Sequence, residues 1–107
     1  MIRQDVRVLE FESPTATLAL RPVLRRLHRL NIGSILVEGG QEVFTQFVRE
    51  RVVDEMSIFL APRVLAGGIS AFREAARRAF AHLVDPASIT VRVIGRDILL
   101  NWIVREE

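Results

Sequence analysis

The stretch Glu38-Gly39-Gly40-Gln41-Glu42-Val43 holds the residues whose types and spacing best suit chemistry. Two consecutive glycines strip side chains from the main chain and open backbone conformations closed to other residues. A bulky anion can then approach the backbone. The doublet stands between an apolar run, Ser34-Ile35-Leu36-Val37, and an amphipathic stretch from Gln41 to Arg51. A helix starting near Gln41 offers unpaired N–H groups at the positive end of its dipole, and a pyrophosphate fits such a place. The same pattern also serves as a plain tight turn, with Glu42 stabilising the helix dipole and no ligand present. The chain has neither a Gly-x-Gly-x-x-Gly fingerprint nor a Walker lysine. A dinucleotide bound here belongs to some other fold.

Glu38 directly follows the apolar run, where a charge is costly unless it is paired or faces a cleft. It reads either as a surface carboxylate just past a strand end or as a cleft carboxylate. In the second role it orients a substrate or cofactor amide, or relays a proton. Asp54-Glu55 is a candidate carboxylate pair for acid–base work, but adjacent strand residues point to opposite faces, which favours a structural role. The two histidines, His28 and His82, lie far apart, and cysteine is absent. Disulfides, thiolate catalysis and cysteine zinc sites are therefore excluded, and no metal centre is expected.

The positioning elements follow from periodicity. Residues from Val6 to Phe11 alternate as a first strand, broken by Ser13-Pro14-Thr15. A helix is expected from about Ala19 to Leu30, with Val23, Leu24, Leu27 and Leu30 on one face. Pro22 falls in its first turn, where a missing N–H costs little, and Asn31-Ile32-Gly33 suits a left-handed cap. Ser34 to Val37 reads as a strand buried on both faces, as parallel strands between helices are. The helix from Gln41 to Arg51 carries an apolar stripe of Val43, Phe44, Phe47 and Val48. A third strand, Met56 to Ala61, reads as apolar on both sides and stops at Pro62. Arg63 to Ser70 is a loop, and Ala71 to Leu83 has helical composition with Arg73, Glu74, Arg77 and Arg78 outward, the alternative for the same stretch being a long ordered loop. Ile89 to Ile94 and Ile98 to Val104 alternate around Gly95-Arg96, a type II′ hairpin. Trp102 suits either the core or a subunit contact, and packing is the favoured assignment. The sum is an α/β fold: a mixed sheet with flanking helices and a C-terminal antiparallel hairpin.

The 107 residues allow one domain, here 1–107. Half are hydrophobic and 26% are charged, a globular balance. All 15 basic residues are Arg, against 13 acidic, for a net charge of +2. They are scattered, which argues against a nucleic-acid surface. No apolar run reaches a membrane span of roughly 18–20 residues, and the N-terminus lacks a signal-peptide core. A cytoplasmic location is expected.

Ser34 to Gly40, the helix with Phe44 and Phe47, then Val53-Asp54-Glu55, Ala61-Pro62 and the tail Val93 to Leu100 resemble the C-terminal part of the riboflavin-biosynthesis reductase domain. The resemblance covers roughly residues 20–104. It implies a dihydrofolate-reductase-like fold and NADPH-dependent reduction of a phosphorylated 5-amino-6-ribosylamino-pyrimidinedione to its ribitylamino product. It places Gly39, Gly40, Gln41, Glu42 and Val43 along the cofactor phosphates and Glu38 near the nicotinamide and substrate. The chain departs from the family in two ways. Its loop glycines come late, at Gly67-Gly68, after Val64-Leu65-Ala66. Nothing matches the family's first half, with its Ser-Leu-Asp-Gly type segment, so the chain is expected to be the C-terminal half of the domain and inefficient alone. A homodimer is expected, because exposed sheet edges favour pairing. The alternatives are a non-catalytic dimerisation or scaffold module and, with less support, a dihydrofolate reductase.

Overall fold

A computed structural model describes residues 5–83 and 88–104. The chain divides into two compact units, one running through Ile35 and one beginning at Leu36.

In the first unit a polar turn precedes a helix. Ser13 Oγ donates to the carbonyls of Thr15 and Thr17, at 2.6 and 2.9 Å. Helix α1 spans Leu20–Arg29, with Pro22 inside its first turn. Asn31 closes it with a φ of 64°. Its N–H bonds the His28 carbonyl at 2.9 Å, and the Ile32 N–H bonds the Leu27 carbonyl at 3.1 Å. This is the double hydrogen bond of a Schellman cap, at the place expected for a left-handed residue. The strand expected at Val6 to Phe11 is not formed, and Val6 and Val8 are exposed. Alternation provides a pattern, but a strand also needs a hydrogen-bonding neighbour, and residues 5–35 contain no other strand.

In the second unit the elements run α2 (Gln41–Arg49), β1 (Glu55–Leu60), a 3₁₀ turn (Glu74–Ala76), α3 (Arg77–Leu83), β2 (Ile89–Ile94) and β3 (Asp97–Ile103). The strands form one antiparallel sheet in the order β1-β3-β2. Gly95, with φ 61°, turns the β2–β3 hairpin, while Arg96 keeps a negative φ. That combination matches the expected type II′ turn. The expected long helix from Ala71 is shorter, because residues 71–73 remain loop and the 3₁₀ turn intervenes. Ser34 to Val37 carries no strand pairing, and Leu36 is 85% exposed. An apolar β-branched run becomes a strand only beside a partner, and β1 bonds β3 instead. The described sheet is thus wholly antiparallel, within a fold that is α/β with flanking helices and a C-terminal antiparallel hairpin.

Register decides which side chains share a face. Met56, Trp102 and Ile89 form one row, followed on the same face by Ile58, Leu100 and Val91, then Leu60, Ile98 and Val93. Val48, Ala76, Ala79, Trp102 and Val104 are the buried core, with Met56, Ile58, Phe72, Phe80, Ile89 and Leu100 packed around it. Burial fades along the face, until Val93 is 76% exposed. The opposite face carries Asn101, whose Nδ2 donates to Glu55 Oε1 at 3.0 Å and Ser57 Oγ at 2.7 Å. Phe59, on that face, is 62% exposed. β1 is therefore an edge strand covered on one side only, not the doubly buried strand its composition suggests. Trp102 is core, as expected.

Candidate functional site

Helix α2 begins directly after the glycine doublet. Gly40 is its N-cap, and no side chain caps it. The Phe44 N–H bonds the Gly40 carbonyl at 3.0 Å, so the amides of Gln41, Glu42 and Val43 precede the helical ladder and have no partner within it. These amides form the donor set the sequence singles out.

The two glycines serve different ends. Neither has a positive φ, and Gly40 is extended at φ −111° and ψ −170°. The doublet therefore does not supply the unusual backbone conformation that its composition suggests. Gly39 is needed for space: a Cβ there would stand 2.8 Å from both Cβ and Cγ1 of Val43. A Cβ on Gly40 would meet nothing within 4 Å. The open approach to the main chain is thus on the Gly40 side, while Val43 fills the Gly39 side.

Three contacts strap residues 70–73 across the start of α2. Gln41 Nε2 donates to the Ser70 carbonyl at 2.9 Å. The Arg73 N–H donates to Thr45 Oγ1 at 2.9 Å, and Thr45 is buried. The Arg73 Nε donates to Glu42 Oε1 in an exposed ion pair. Phe72 belongs to this strap, its ring centroid 5.9 Å from that of Phe44 and 4.6 Å, edge-on, from that of Phe80. Sequence reasoning missed Ser70, Thr45 and Arg73, since each contact spans about thirty residues and no local pattern encodes it.

Glu38 is exposed, two residues before the N-cap. Gln41, Glu42 and Val43 occupy the first turn of α2, as the sequence places them. Asp54 and Glu55 serve the sheet: the Asp54 carbonyl accepts from the Val104 N–H at 2.9 Å, and Glu55 holds Asn101. A shallow depression over Glu74, Ala75, Arg77, Arg78 and Ala81 is lined by none of the doublet residues. Among the described residues no helix is long and apolar enough to cross a membrane.

Two proteins of Aquifex aeolicus (strain VF5) are similar to the chain. The riboflavin biosynthesis protein RibD is 35% identical over 51 residues, covering 48% of this chain and 14% of that protein. The 2,5-diamino-6-ribosylamino-4(3H)-pyrimidinone 5′-phosphate reductase is 33% identical over 83 residues, covering 75% of this chain and 37% of that protein. The chain therefore spans well under half the length of these curated relatives. No solved structure matches it significantly. The family described as the RibD C-terminal domain matches residues 2–100. That match takes in the doublet, both helices around it and nearly all of the sheet, and on it the chain belongs to the RibD C-terminal domain family, whose α/β fold is dihydrofolate-reductase-like.

Proposed function

We propose that the chain is the cofactor-phosphate half of an NADPH-dependent reductase of the riboflavin pathway, acting on a phosphorylated ribosylamino-pyrimidine. The observation that carries this reading is the uncapped N-terminus of α2 behind an unobstructed Gly40, within a segment that matches the family. The residues fit the group: Gly40 admits phosphate oxygens, and the Gln41, Glu42 and Val43 amides can donate to them at the positive end of the dipole. Glu42 alone works against an anion, and its ion pair with Arg73 offsets that charge.

NADPH supplies the hydride when bound, and the protein supplies position and electrostatics. Gly40 through Val43 hold the phosphate end. The exposed Glu38 carboxylate, two residues upstream, accepts a hydrogen bond from the nicotinamide amide or the substrate and so orients it. Val43 packs on Gly39 and fixes where the chain enters the helix. The similarity to a pyrimidinone 5′-phosphate reductase supports the substrate class. A cytoplasmic location belongs to the same reading.

The uncovered sheet favours a second element of the proposal. Phe59 and Ile103 are exposed large apolar residues on one face of a three-stranded sheet with two free edges among the described residues. Such surfaces favour self-association, and we assign the chain a homodimeric state. Without cofactor binding, that surface would instead make it a dimerisation or scaffold module. NADPH titration followed by nucleotide fluorescence and Tm separates the two. Saturable binding supports the reductase reading, and a folded chain with no response at millimolar NADPH contradicts it.

A further inference from the structure

We propose that Arg73 is a positioning residue for the anionic end of the cofactor: it ties up the Glu42 carboxylate, which otherwise competes with phosphate for the first amides of α2. This inference rests on the cofactor reading above.

Glu42 stands in the first turn of α2, the place where a carboxylate interacts best with a helix's own free N–H groups. An anion arriving at the same amides meets both a competitor and a like charge. Arg73 removes both obstacles. Its guanidinium engages Glu42 Oε1, while its main chain is held independently by the buried Thr45 hydroxyl. Gln41 fixes the same strap three residues earlier, through the Ser70 carbonyl. The guanidinium is thereby delivered to Glu42 by a backbone anchored at two other points.

That anchoring makes the idea separable from a purely structural role. Arg73→Gln removes the charge and leaves the bond from its backbone N–H to Thr45 in place. The test measures binding of NADPH and of inorganic pyrophosphate to four proteins: the intact chain, Arg73→Gln, Glu42→Gln and the double variant. Arg73→Gln should weaken both ligands about three- to fivefold, and Glu42→Gln should tighten them a few-fold. The double variant should bind at least as tightly as the unaltered chain, because no carboxylate remains to be held. A double variant that stays as weak as Arg73→Gln, or more than about threefold weaker than the unaltered chain, overturns the inference. It would mean that Arg73 ligates phosphate directly or only braces the fold. If the unaltered chain binds neither ligand, the cofactor reading itself fails, and this inference with it.

Discussion

The Val43 side chain occupies the space where a side chain on Gly39 would begin: an added Cβ would lie 2.8 Å from Val43 Cβ. That atom is fixed to the α2 backbone and cannot rotate away. Gly40, the next residue, has open space where its own Cβ would stand. Two adjacent and chemically identical residues therefore answer to different constraints.

The first prediction follows from that contrast. Gly39→Ser should destabilise the chain by about 1–3 kcal/mol through overpacking. Gly40→Ser should stabilise it by a few tenths of a kcal/mol, since serine caps a helix slightly better than glycine in an extended N-cap. Urea midpoints of the two variants should move in opposite directions. Equal shifts would contradict the assignment.

Arg51 ends α2 in the left-handed region, at φ 55°. The Arg51 N–H bonds the Val48 carbonyl and the Val52 N–H bonds the Phe47 carbonyl, at 3.2 and 3.3 Å, a second Schellman cap. An L side chain there costs roughly 1–2 kcal/mol. Arg51→Gly should therefore raise stability by about 1 kcal/mol, read as a higher Tm. Asn31→Gly, at the equivalent place after α1, should gain less, because asparagine tolerates this conformation.

Phe72 bridges Phe44 on α2 and Phe80 on α3 while its neighbours Ser70 and Arg73 contact Gln41, Thr45 and Glu42. Phe72→Ala should cost about 2 kcal/mol or more in packing. It should also loosen the strap, so that Ser70 to Arg73 gains hydrogen exchange more than β3 does. The exposed Arg73–Glu42 pair should contribute about 0–1 kcal/mol to stability. Arg73→Gln should accordingly unfold at nearly the same urea concentration as the unaltered chain.

The elements legible in the sequence are those whose signals are local. Helix α1 with Pro22 in its first turn, the Asn31 cap, the Gly95 hairpin and the Trp102 packing role all depend on residues within a few positions of one another. The strands expected at Val6–Phe11 and Ser34–Val37 did not form, because pairing depends on a neighbour that hydrophobic pattern alone cannot supply. The Arg51 cap was invisible, since arginine carries no left-handed preference. At the candidate site, the helix start and the doublet were legible. The division of labour between Gly39 and Gly40, and the arrival of Arg73 at Glu42, arise from packing across distant segments.

The central claim is that the open N-terminus of α2 seats the cofactor's phosphates, and Gly40→Asp tests it most directly. Aspartate in the extended N-cap should hold or slightly raise Tm by capping the helix, while its charge occupies the same amides. The account predicts that NADPH binds the unaltered chain and that Gly40→Asp weakens binding at least about tenfold with the fold intact. Equal NADPH affinity in the two proteins, or no binding by the folded unaltered chain, would contradict it.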